Sequence, residues 1–322
     1  MTVHHIMQKH IPQIDFLRCV FIVLMVLFHL VYIGDSYPMA KQVVYTFHMP
    51  GFLLISGFLS NTDKPLKAFA RQLLWLMVPY MVMEAGYTVM ASLLPIREHI
   101  DRLTLGVLLE KLFLAPLGPY WYLHTLMVCY VVNDLLHGTM RKFFPKMGFV
   151  SQLCIMGAVF WWLSSAVHLL DFSNALYFMA GVLVRRSGAG FLSVFRASWL
   201  ALLPLVLLVL YTPADSLHRF TIQGFAITWL VMCFLLSAAQ VLPLRWHALA
   251  AYIGSNTLPI LLFSPIFTVL VKPLVGVFSF DASGVLFALV AVPLCISGSF
   301  AIAWLMDKCG ASRWFSGRPL LR

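Results

Sequence analysis

Three histidines, a glutamate and an arginine stand inside segments that are otherwise apolar, at spacings that could do chemistry. Arg18 and His29 lie eleven positions apart. On an α-helix that separation is about 16 Å along the axis and about 20° around it, so both side chains share one face. A guanidinium at one end of such a face can hold a phosphate through its planar fork. An imidazole at the other end, in apolar surroundings, is suited to act as a general base for a hydroxyl. His48 and Glu84 reach the depth of His29 from the second and third apolar segments, and His124 and Ser264 reach it from the fourth and ninth. A carboxylate such as Glu84 can orient the second nitrogen of an imidazole, and His48, Tyr80 or Trp121 could donate to a tetrahedral oxyanion. Each of these residues also has a structural reading. A lone histidine can bond a neighbouring helix, Glu84 can meet a structural partner, and Ser264 can bond the carbonyl one turn back. Asp15, three residues before Arg18, can form an ion pair at the membrane edge. The clusters Lys64/Lys67/Arg71 and Arg141/Lys142/Lys146 are topogenic or ligand-binding.

The elements that must position these groups follow from composition. Of 322 residues, 61% are hydrophobic and 11% charged, which excludes a soluble globular domain and a disordered chain. The sequence predicts an all-α, polytopic membrane helix bundle. About ten transmembrane helices fall near 14–34, 42–60, 71–94, 119–137, 147–168, 172–186, 197–212, 219–240, 249–271 and 284–306. The sixth and seventh are separated by little more than Arg185, Arg186 and a Ser-Gly-Ala-Gly turn. With a cytoplasmic amino terminus, sixteen of the 22 lysines and arginines fall inside and six outside, so both termini are expected in the cytoplasm. The chain then divides into a cytoplasmic segment at 1–13, a transmembrane domain at 14–306 and a cytoplasmic tail at 307–322. The first span reads as a retained helix rather than a signal peptide. Leu103, Leu105, Leu108, Leu109, Leu112 and Phe113 recur at near-helical spacing, predicting an amphipathic helix on the outer surface. The net charge of +10 is scattered between apolar segments, which points to membrane orientation and not to nucleic acid. No CxxC or HExxH pattern calls for a metal, and none of the six cysteines lies in an outer loop, so no disulfide is expected.

Gln13-Ile-Asp-Phe-Leu-Arg18 running to His29 resembles the opening helix of the integral membrane acyltransferase family 3, which carries an Asp, a Leu-Arg and a following His. Phe47-His48-Met49-Pro50-Gly51-Phe52 with Ser56-Gly57 is similar to the family's F-H-M-P-x-F…S-G segment. Val78-Pro79-Tyr80 after Arg71, Trp121-Tyr122-Leu123, and Tyr252-Ile253-Gly254-Ser255-Asn256 resemble later segments, so the likeness runs over about 13–271. Trp121-Tyr-Leu-His-Thr-Leu126 lacks the acidic residue of one branch, which makes the chain look closer to the stand-alone sugar acetylases. Leu261-Leu-Phe-Ser264 stands where members often have Tyr-x-x-His, and no cation follows Arg71 to complete an Arg-x-x-Arg.

The resemblance implies an O-acetyltransferase that moves an acyl group, commonly acetyl, from cytoplasmic acyl-CoA to a hydroxyl of a cell-envelope carbohydrate, in the bacterial inner membrane. Acyl-CoA is then a co-substrate, and the partners are membrane lipid and a surface or lipid-linked glycan. His29, with His48 and Glu84, is the expected catalytic set; Arg18, Lys67 and Arg71 are expected at the CoA phosphates; Tyr80, Trp121 and His124 are expected at the acceptor or the oxyanion. The competing class is a proton-coupled secondary transporter with His29, His48 and Glu84 as its relay. Its usual paired half-repeats and broken helices are not visible in the sequence.

Overall fold

A computed structural model describes residues 11–94 and 98–322; Lys9, Arg97 and most of the expected amino-terminal segment lie outside the described residues. Nine of the ten apolar segments each coincide with one helix, and the ninth in order with a bent pair. They are Pro12–His29, Pro38–Leu59, Leu66–Leu93, Trp121–Phe143, Phe149–Ser165, Phe172–Arg186, Leu202–Tyr211, Ile222–Val241, the pair Leu244–Ser255 and Thr257–Leu270, and Val285–Lys308. Every regular element among the described residues is helical, so the fold is an all-α polytopic bundle. Five of these helices are long and apolar enough to cross a bilayer alone, and the Leu244–Ser255/Thr257–Leu270 pair passes the same test only when its two bent halves are taken together. The sixth and seventh predicted segments are separate helices, parted by Gly188 at positive φ and a short Phe191–Val194 turn of helix.

Pro12–His29 is the hub. It begins on Pro12, whose fixed φ and missing N–H suit the first helical turn. Ile14, Leu17, Phe21, Ile22, Met25, Val26 and Phe28 are buried on it, as expected of a helix apolar on all sides. It packs on Pro38–Leu59, Ile222–Val241, both halves of the bent pair and Val285–Lys308. Lipid gives helices no hydrophobic reason to associate, so close backbone packing has to supply the attraction. Gly57 and Gly181 show how. A Cβ on Gly57 would run into the Phe178 carbonyl, and one on Gly181 into the Leu54 carbonyl, so Pro38–Leu59 and Phe172–Arg186 touch backbone to backbone.

Two features depart from the sequence reading. The ninth predicted span is not one helix but breaks at Asn256 with a bend of 81°. There the Asn256 amide donates to the Tyr252 carbonyl at 2.8 Å, offering the backbone a local alternative to helix continuation. One broken helix is therefore present where the sequence showed none. The expected tail has structure that the sequence reading did not give it: a short helix, Ala311–Ser316, packs on Leu66–Leu93 and Val285–Lys308. The predicted outer amphipathic helix is Leu105–Phe113, capped by the Thr104 hydroxyl accepting from the Val107 N–H at 3.2 Å.

Candidate active site

Two cavities bear on these side chains, and a group of aromatic and imidazole rings adjoins both. The first, of about 670 Å³, is lined by Arg18, Lys64, Arg71, Arg318 and Arg322, and by Trp75, Tyr122 and Tyr130. Among the described residues no acidic side chain lines it. Arg18 is held from two elements. Its guanidinium donates to the Thr257 hydroxyl at 3.0 Å, just past the helix break, and lies 3.5 Å from the Asp15 carboxylate. The break at Asn256 thus sets the position of the arginine. Ile22, Met49 and Phe52 line it as well.

His29 and His48 belong to the group of rings. Tyr45 lies between them, its ring centroid 6.1 Å from that of His29 and 5.1 Å from that of His48. Each imidazole is fixed in the same way. His29 Nδ1 lies 2.7 Å from the Met25 carbonyl, and His48 Nδ1 lies 2.7 Å from the Val44 carbonyl. A carbonyl can only accept, so both Nδ1 atoms carry the proton and both Nε2 atoms present a lone pair. That is the tautomer a general base needs. His48 is 2% exposed, and its Nε2 has no hydrogen-bond partner among the described residues.

The second cavity, about 920 Å³ and more open, begins at Tyr45 and Thr46 and is lined by Asp35, Lys41, Gln42, Asp171, Ser173, His218 and Arg219 with Phe172 and Phe220. Its polar wall is prebuilt. Arg219 donates to Asp171 at 2.8 Å and to the Ser173 hydroxyl at 3.2 Å, and lies 5.5 Å over the Trp121 ring. Burial pushes the Asp171 carboxyl up, but the Ser173 hydroxyl and the Arg219 charge outweigh it and hold the group below the usual carboxylate range. Charged groups beside aromatic faces suit a sugar, which has both hydroxyl edges and an apolar face.

The sequence-predicted residues divide accordingly. Arg18 and Arg71 meet in the first cavity, whereas Lys67 is exposed outside its lining. His29 and His48 meet at Tyr45. Trp121 reaches the second cavity through Arg219. Glu84, Tyr80 and His124 go elsewhere. Glu84 accepts from the Leu117 N–H at 2.6 Å, Tyr80 donates to the Leu112 carbonyl at 2.8 Å, and His124 lies 3.0 Å from the Phe113 carbonyl. All three tie down the Leu105–Phe113 helix and the turn after it. Glu84 is thus engaged with the Leu117 N–H, while the Nδ1 atoms of His29 and His48 face the Met25 and Val44 carbonyls. Lys64, Arg318 and Arg322 stood among the cations read as orientation signals; only tertiary proximity singles them out. Tyr45 had a readable signal, three residues before His48 and so on its face.

No curated protein and no solved structure matches the chain. The chain does match the acyltransferase domain of acyltransferase family 3 over residues 11–304, which takes in Arg18, both histidines and the walls of both cavities up to the carboxy-terminal segment. That match covers most of the chain, and the chain therefore belongs to the acyltransferase 3 family and is a multi-pass membrane acyltransferase.

Proposed function

We propose that the protein moves an acyl group, acetyl in the first instance, from cytoplasmic acyl-CoA to a hydroxyl of a cell-envelope carbohydrate across the bacterial inner membrane. The observation that carries this reading is a pair of cavities, one lined as far as Met49 and the other as far as Tyr45, with His29 and His48 packed against the Tyr45 ring. One is cationic throughout its charged lining, and the other is mixed in charge and aromatic. Lys64, Arg71, Arg318 and Arg322, on the side assigned to the cytoplasm by the cation bias, converge on the first cavity; Lys41 and Arg219, assigned outside, converge on the second. This supports ten crossings with both termini cytoplasmic.

In this scheme the CoA phosphates lie at Arg18 and Arg71, and the pantetheine arm runs past Met49 and Phe52 to bring the thioester to the histidines. The distance along the first helix, about 16 Å from Arg18 to His29, matches such an arm. The acceptor sugar enters from the other side, over Trp121, Arg219 and Tyr45. His29 Nε2 takes the proton of its hydroxyl as the oxygen attacks the thioester carbonyl. The tetrahedral intermediate collapses to the ester, and the departing CoA thiolate recovers the proton from the imidazolium. His48 stands one ring away, placed to donate to the oxyanion if it is protonated or to share the base role if it is neutral.

The test is to supply acetyl-CoA and envelope glycans to membranes containing the protein and to follow free thiol and glycan mass. Thiol release with an acetyl-sized increment on the glycan is expected. Thiol release without any glycan increment would overturn the carbohydrate acceptor, and no acceptor-dependent release from any acyl-CoA would overturn the donor.

A further inference from the structure

We propose that the carboxy-terminal segment is itself part of the donor site, with Arg318 and Arg322 holding phosphates at the nucleotide end of acyl-CoA. The inference rests on the donor reading above. The family match stops at residue 304, so these two arginines belong to a part of the chain that the common domain does not include.

Three observations carry it. First, the segment has a built seat. Asp307 accepts from the Leu320 and Leu321 N–H groups at 2.8 and 3.0 Å, and the Asn256 side chain accepts from the Arg322 N–H at 2.8 Å. Gly317, at φ +71°, lies against Trp75 so closely that no Cβ would fit. The same Asn256 breaks the ninth segment beside Thr257, the partner of Arg18, so one residue positions both arginine groups. Second, Ser316, Gly317, Arg318, Pro319, Leu320 and Arg322 wall the same cavity as Arg18, Lys64 and Arg71. Five cationic side chains thus face one space with no acidic side chain among the described lining residues, an arrangement that suits a ligand of several negative charges. Third, the tail cations repel. Burial and then the Arg322 charge hold Arg318 below its usual value, and an anion beside them would relieve this.

Phosphate could come from CoA or from anionic lipid headgroups at the same membrane face, and the experiment separates them. Full-length protein in nanodiscs of zwitterionic lipid, with or without anionic lipid, is titrated with CoA and with pantetheine, which lacks the phosphates. The parent is expected to bind CoA more tightly than pantetheine in both lipids. Arg318→Gln/Arg322→Gln should lower CoA affinity by about 10- to 100-fold, the range for charge-assisted contacts at a partly screened rim, and narrow the preference over pantetheine. Arg318→Lys/Arg322→Lys should recover part of the loss. Arg313→Gln, an exposed cation on the same segment outside the cavity lining, should bind CoA as the parent does, which separates loss of these two contacts from loss of the segment's charge. If the parent binds CoA but the double variant binds it equally well, or loses affinity only in anionic lipid, the tail assignment falls and the donor reading survives. If the parent binds no CoA, the donor reading falls and takes the tail assignment with it.

Discussion

Replacing His29 by alanine should separate chemistry from folding. The side chain contributes one hydrogen bond, to the Met25 carbonyl at 2.7 Å, and a ring contact with Tyr45. The helix backbone is unaffected, because the Met25 carbonyl keeps its place in the helical ladder. Losing one such bond costs about 0.5–1.5 kcal/mol of stability. Loss of a general base costs about 10²- to 10⁴-fold in rate, or about 3–5 kcal/mol of barrier. The second figure exceeds the first several-fold, so His29→Ala should insert normally, bind CoA at Arg18 with parent affinity and lose nearly all transfer. The assay is single-turnover acetyl transfer in nanodiscs, with CoA binding measured on the same preparation. In the parent the rate should rise with pH as an imidazolium loses its proton, and this limb should be missing from the residual rate of His29→Ala. A His29→Ala protein that transfers within tenfold of the parent, with the limb intact, would refute the argument. His48, whose Nε2 is also presented as a lone pair, would then take the base role.

Three further outcomes are expected. Reporter fusions after residues 62, 142 and 310 should read as cytoplasmic and those after 36, 98 and 281 as external; an external signal at 310 would break the ten-crossing topology. Gly57→Ala and Gly181→Ala should each destabilise the bundle by several kcal/mol, because the added Cβ meets a backbone carbonyl that cannot yield; unchanged thermal unfolding in detergent would contradict the close helix contact. The carboxyl of Asp171 is depressed in the folded protein. Its contribution to stability is therefore fully present above the unfolded value near pH 4 and is lost as pH falls through the lower folded value. Asp171→Asn should flatten that acid limb and weaken acceptor binding while leaving CoA affinity unchanged; an acid limb identical to the parent's would remove the Asp171–Arg219 pair from the argument.

Composition and the runs of apolar residues were enough to specify an all-α membrane bundle and the places of its helices, because the bilayer admits few solutions: backbone groups in hydrocarbon must be satisfied within the segment, so apolar length becomes helix. Helical spacing likewise put Arg18 and His29 on one face, since both lie on a single unbroken element whose geometry is fixed. Depth, however, is only one coordinate. Glu84 and His124 reach the layer of His29, yet they bond the carbonyl and amide groups of the Leu105–Leu117 connection, because which helices are neighbours is decided by packing. The Asn256 break, which gives Arg18 its Thr257 partner and Arg322 its seat, depends on a side chain competing with the helix for backbone bonds, and the local sequence permits either outcome. Arg318 and Arg322 read as topogenic charges until the tail packs against Trp75, and Asp171 and Arg219, far apart in sequence, become one wall only when two loops meet. The placement of Arg18 and His29 on one helix was legible from the residues; the cavities that would bring donor and acceptor to it were decided by tertiary contacts between segments that no local spacing relates.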